Sequence, residues 1–303
     1  MVPPTQTDTG APQTARSVVE RTVGRPHYGR WASAVALVAG AALVIRQFAY
    51  ADIDWAIIPG YLTSPVILEG LRGTMLLTAL AMLLGIVVGV AIAIMDLSAN
   101  PVAVAAAKFY LWFFRGVPVL VQLLLWFNIG LVVDYVNLGP IYQGPANALI
   151  TPLLAALLGL GLAEGASMGE IVRSGILAVD PGQLQAARAL GFTKARAMRR
   201  IVLPQAMRVI VPPTGNEAIN MTKYTSLAFA VSYAELLSSA GKIYASNFKI
   251  VELLLTITIW YLALTTVLMA VQRLIESRFS RGYGSRRTPK PARFTVRKTG
   301  VTA

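Results

Sequence analysis

Residues 74–95 read TMLLTALAMLLGIVVGVAIAIM, a run of twenty-two positions with no charged side chain. As a helix it would be about 33 Å long at 1.5 Å per residue, enough to cross the ~30 Å hydrocarbon core of a bilayer. Gly85 and Gly89 lie one turn apart within it and make a small-xxx-small face suited to close helix packing. The run assigns the chain to the membrane, and the rest of the sequence is read outward from it.

Composition agrees. Hydrophobic residues make up 55% of the chain and charged ones 14%, against roughly 25% charged in a soluble domain, and mean hydropathy is +0.61. There is too little polar side chain to cover a water-facing surface, so lipid is the solvent for much of it. The absence of cysteine excludes a disulfide framework, a thiolate zinc site and thiol catalysis. The single histidine, His27, lies in the N-terminal tail, and neither a metal site nor a cofactor bound by this chain is expected. A net charge of +13 would suggest nucleic acid in a soluble protein. Here Lys and Arg cluster at the chain ends and in one internal segment between apolar runs, as the positive-inside rule places them, and nucleic acid is excluded as a partner.

The expected fold is all-α and integral to the membrane, with about six transmembrane helices. A disordered tail at 1–30 precedes a helix at 31–50, whose Arg46 must snorkel to the interface. After 74–95 come a span at 109–133 interrupted near Gly116 and Pro118, and one that begins at 148–163 and continues through Glu164 and Glu170 to about Leu177. A less hydrophobic span at 207–233 and a last one at 250–272 precede a basic tail at 283–303. Arg16, Arg21, Arg25 and Arg30 mark the first tail as cytoplasmic, while the loop at 51–65 carries Asp52 and Asp54 and no base. Strict alternation then puts the uncharged loop at 137–147 outside, the basic segment 178–206 inside, and both termini in the cytoplasm.

That internal segment, DPGQLQAARALGFTKARAMRRIVLP at 180–204, is the part with a punctuated pattern of its own. Asp180 is a good N-cap with Pro181 at the first helical position, and Gly191 can supply the left-handed residue that ends the helix. Thr193 can cap a second helix, which Pro204 would stop. The Ala186–Ala187 pair lets another surface approach closely, while Arg196, Arg199 and Arg200 face solvent or head groups. Two readings fit the residues: an interfacial helix pair on anionic lipid, or a docking element for a cytoplasmic partner.

Ala186, Ala187, Gly191, Ile201, Leu203 and Pro204 resemble the Ala-Ala…Gly…Ile-x-Leu-Pro loop of ABC importer permeases. FRGVPVLVQL at 114–123, Gly182–Gln183, PQAMR at 204–208, NMTKYTSLAF at 220–229 and Ala234–Leu237 are similar to the polar amino-acid branch, and the likeness covers residues 64–282. It implies a type I importer core of five spans plus an extra N-terminal helix. By the same resemblance, separate ATPase subunits using ATP and Mg would dock on 181–203 through Gln183, Gln185, Ala186, Ala187, Leu190, Gly191 and Pro204. A second permease subunit and an extracytoplasmic solute-binding protein would complete the assembly in the cell's inner membrane. Gln185 stands where the family's motif has Glu, which reduces an electrostatic contribution to docking to a hydrogen bond. The chain has no GxxxxGK[ST] phosphate loop, so it is not itself expected to be an enzyme.

Polar residues inside spans are functional candidates. Asn216, Asn220 and Lys223 fall on one helix face, with Glu217 and Thr225 nearby and Glu164 deep in another span. They make either an interhelical hydrogen-bond cluster, with Glu217 reaching Lys223, or a translocation path. Glu170 is expected to pair with Arg173 at the interface, and Arg115 to anchor a span end. The competing reading of the whole chain is an ion-coupled secondary amino-acid transporter acting alone, which predicts inverted repeats; none is evident between the halves.

Overall fold

The computed structural model of the protein describes residues 28–140 and 142–279, in two compact units, Met1–Ile53 and Asp54–Ala303. The tail at 283–303 and all but the last three residues of the tail at 1–30 lie outside the described residues. The first unit holds one helix, α1 (Tyr28–Tyr50), with Arg46 stacked over the Tyr50 ring.

The second unit opens with the short α2 (Ile58–Leu62) and the long α3 (Pro65–Asp96). α4 (Pro101–Gly116) and α5 (Val119–Phe127) follow, bent by 100° at the two residues between them. A 3-10 turn (Ile129–Leu131), an antiparallel hairpin of β1 (Tyr135–Asn137) and β2 (Gln143–Pro145), and α6 (Ala146–Leu149) lead into α7 (Pro152–Leu177). α8 (Pro181–Ala189), α9 (Lys194–Ala197), a π-helical turn (Met198–Val202) and α10 (Leu203–Tyr224) come next. A 3-10 stretch (Thr225–Val231), α11 (Leu236–Asn247) and α12 (Ile250–Phe279) complete the unit.

Local chemistry sets the helix starts. Ser64, Asn100, Thr151 and Asp180 each accept a backbone N–H with the side-chain oxygen and are followed by proline. The cap satisfies one orphan donor, and proline at the first helical position removes another. Between the spans expected at 207–233 and 250–272 the chain is mostly helix: Glu235 caps α11 through the amides of Leu237 and Ser238, and Ser238 Oγ accepts the Glu235 N–H in return.

α3 and α7 form the heart of the unit. A Cβ added at Gly85 would stand 2.5 Å from Glu164 Cγ, and one at Gly89 2.5 Å from Met168 Cβ. The two glycines therefore let the backbones approach closely, as their spacing predicts. Leu77, Leu123, Leu160, Met221 and Val231 fill the core around this crossing, and Ile67, Leu236 and Leu253 make a second cluster under α11.

Among the described residues, Trp31–Tyr50, Pro65–Asp96, Pro152–Leu177 and Ile250–Arg278 are long and apolar enough to span a bilayer, and the bent α4–α5 pair makes a fifth if counted as one crossing. The span expected at 207–233 is not among them. α10 carries Arg208, Glu217 and Lys223, ends at Tyr224, and gives way to the 3-10 stretch. Apolarity is traded there for polar side chains that line internal space.

Candidate functional site

The interruption expected near Gly116 and Pro118 builds one wall of the site. Pro118 has no N–H to donate to the Phe114 carbonyl four residues back. Gln122 Nε2 takes that place at 3.0 Å and also donates to the Val117 carbonyl at 2.8 Å. The side chain is 2% exposed, so both bonds are made away from water. The break is a fixed turn held by one amide, with Gln122 Oε1 left unpartnered.

The residues of this turn face α7 and α10 across a cavity of about 500 Å³, to which Glu164, Ser167, Glu217 and Asn220 contribute. Glu164 is 4% exposed, and its Oε1 has no hydrogen-bond partner. A smaller cavity of about 350 Å³ adjoins it, and Arg115, Ser167 and Glu217 line both. Asn216 and Asn220 line a third beside α12, where Gln272 Nε2 donates to Asn216 Oδ1 at 2.9 Å. Pro212 and Pro213 sit on the same helix without breaking it, and Gln272 also donates to the Pro212 carbonyl at 3.3 Å.

Glu164, Glu217 and Asn220 are thus brought together, with Asn216 next to them. Lys223 and Thr225 are not. Lys223 is exposed and makes no ion pair with Glu217 among the described residues, while Thr225 is fully buried and donates to the Thr222 carbonyl at 2.7 Å. Other pairings also differ from expectation. Glu170 pairs with Arg115, and Arg173 pairs with Asp96 at 2.6 Å. Arg115, in the last turn of α4, meets α7 across the interior of the unit, a tertiary consequence that spacing along α7 alone does not contain. The role of Gln122 was missed, although a glutamine four residues after a proline inside an apolar run is a readable signal.

The second candidate element is the segment 180–204. Asp180 Oδ1 caps α8 through the Gly182 N–H at 2.7 Å, Gly191 takes φ +78°, and Thr193 caps α9. Gln183, Gln185, Ala186, Leu190 and Gly191 are exposed, whereas Ala187 is 1% exposed, on the inner side of α8 where that helix packs on the 194–202 stretch. The outward surface therefore belongs to Ala186 and not to the pair. Pro204 was expected to stop the second helix, and it does not. It lies in the first turn of α10 after the π-turn, and the chain stays helical from Lys194 to Tyr224. The widened turn absorbs the hydrogen bond that proline cannot make.

Residues 81–281 match the family described as binding-protein-dependent transport system inner membrane component. The chain is 43% identical to an arginine transport system permease protein of Corynebacterium glutamicum over 258 residues, 84% of this chain and 82% of that protein. It is 38% identical to a probable amino-acid permease protein of Bacillus subtilis over 232 residues, 76% of this chain and 98% of the relative. A solved amino acid ABC transporter, crystallised with histidines, superposes with a TM-score of 0.63 at 33% identity, over 75% of this chain and all of that one. The chain belongs to the binding-protein-dependent inner membrane component family and is a multi-pass permease subunit of the amino-acid ABC transporters.

Proposed function

We propose that this permease carries a polar amino acid, or a close analogue, with a cationic side chain, and that the cavity between the α4–α5 turn, α7 and α10 is part of its path. The observation that carries the reading is the charge of the cavity. Glu164 and Glu217 line it, its one cation, Arg115, is paired with Glu170, and Lys223 is not part of its lining. An unpartnered carboxylate oxygen in such a place attracts an ammonium or guanidinium. The arginine permease among the relatives supports the same class.

In this reading a separate ATPase docks on the exposed face of α8, an extracytoplasmic binding protein delivers the solute, and a second permease subunit completes the pathway. Both termini are cytoplasmic, and Gln183, Gln185, Ala186, Leu190 and Gly191 form the docking surface. Binding and release of ATP by the partner moves 181–203 and alternates the access of the cavity. A single-chain, ion-coupled carrier has no counterpart among these relatives.

Uptake of labelled arginine in a strain lacking the chromosomal copy tests the path. Glu217→Gln removes one charge-assisted contact worth about 1.5–3 kcal/mol, so the apparent KM rises roughly 10- to 150-fold. An unchanged KM for arginine sinks the proposed role of the cavity. Ala186→Glu should abolish uptake while the chain remains in the membrane, and wild-type uptake in that variant would remove α8 from the docking surface.

A further inference from the structure

A second large cavity, about 970 Å³, lies away from the polar face of α10 and is walled by α3, α7, α10 and α12. Its lining is apolar along nearly its whole length and includes four methionines, Met82, Met168, Met198 and Met207. Methionine is the residue that adapts to irregular, changeable apolar partners. The floor is buried at Met168 and Ile210, whereas Val90, Ile94, Leu203 and Ile275 on the rim are exposed. The cavity is therefore a groove open to the side, along spans whose solvent is lipid.

Two measures identify what fits it. From Met82 to Leu97 the groove follows fifteen residues of α3, or about 22 Å at 1.5 Å each. Half a bilayer measures roughly 20–22 Å with its head groups, of which ~15 Å is hydrocarbon. The groove is thus as long as one leaflet. Ser98 just beyond α3 and Lys194 at the start of α9 mark one end, while Thr214, Gln272 and Glu276 lie along the wall formed by α10 and α12. Lys194 has no ion-pair partner among the described residues, whereas Glu276 Oε1 accepts from Gln272 Nε2 at 2.8 Å. A phosphate would meet an unpaired ammonium at the end of an apolar slot one leaflet deep.

We propose that this groove is a binding site for a phospholipid of the leaflet on the side of the 180–204 segment, its acyl chains against Met82, Met168 and Met207 and its phosphate at Lys194. Lys194 and Met198 belong to the stretch that joins α8 to α10, so the bound lipid packs that stretch against the spans. The site is distinct from the polar cavity, and its test does not depend on transport.

The full permease, with its ATPase, is reconstituted in nanodiscs containing a phosphatidylglycerol that carries a photoactivated diazirine on one acyl chain, and adducts are mapped by peptide mass spectrometry. Met207 and Val211, which line the groove, should be labelled. Lys194→Gln should lower that labelling about fivefold, the value of one basic residue near a phospholipid surface. Ile94→Trp, on the exposed rim, should block it while leaving the outward α3 residues Leu83 and Val87 labelled. Labelling confined to Leu83 and Val87 in the wild type would overturn the proposal and show that protein covers the groove. Equal labelling of Met207 in the wild type and both variants would overturn it as well. A parallel arm with a diazirine phosphatidylethanolamine decides the head group: equal labelling assigns recognition to the shared phosphate, and weaker labelling assigns it to net negative charge.

Discussion

Replacing Gln122 by Met isolates the amide that holds the α4–α5 turn, because the two side chains have nearly the same volume. The substitution takes the donor from two carbonyls, Phe114 at 3.0 Å and Val117 at 2.8 Å, in a place 2% exposed. Each unsatisfied carbonyl costs about 1.5 kcal/mol, and loss of the unpartnered Gln122 Oε1 returns about 1 kcal/mol, so the net cost is about 2 kcal/mol. Local opening of the turn then becomes roughly 30-fold more frequent. Hydrogen exchange on the reconstituted protein reads this directly at the Val117 and Gln122 amides, which donate to Phe113 and Pro118. Exchange there should accelerate while the core of α3 stays unchanged. Uptake should fall too, because residues 114–119 line the cavity. Unchanged exchange at those amides would refute the assignment of the turn's rigidity to Gln122.

Glu235→Ala removes the acceptor of the Leu237 and Ser238 amides and of the Tyr261 hydroxyl at 3.0 Å. A lost cap costs about 1–2 kcal/mol and an orphaned hydroxyl about 1 more, so the thermal midpoint should drop by several degrees in a melting assay. Gly89→Leu places a Cβ 2.5 Å from Met168 Cβ and 2.8 Å from the Gly169 nitrogen, where backbone cannot yield. That variant should fail to accumulate in membranes by immunoblot. Gly60→Leu, whose Cβ meets nothing within 4 Å, should accumulate normally.

What could be read in advance followed from local chemistry. The charge-free run at 74–95 announces α3, and the Gly85–Gly89 spacing announces its close contact. The Asp180–Pro181 pair announces α8, and Ser64–Pro65, Asn100–Pro101 and Thr151–Pro152 carry the same signal for three other helices. α10 was harder to read, because lining a polar cavity asks for the opposite composition from crossing lipid. α11 falls between two expected spans, and its polar serines and Asn247 hide a helix whose cap is a buried glutamate. The ion pairs of Arg115 and Arg173 depend on how α3, α4 and α7 meet, which no spacing rule encodes. Pro204 misled for a related reason: a proline stops a regular α-helix, but a π-turn just before it changes the hydrogen-bond count.

The unbroken path through that π-turn has a mechanical consequence. From Lys194 to Tyr224 the chain is continuously helical, a path of about 45 Å at 1.5 Å per residue. A rod pivoting by only 5° at its base carries its far end through about 4 Å, more than the width of a water molecule. Had Pro204 been a joint, a push on one end would dissipate in bending. Moving as one body, the helix would carry Asn216, Glu217 and Asn220 together, and the π-turn and the Pro212–Pro213 pair mark the two places where hydrogen bonds are fewest and bending is easiest.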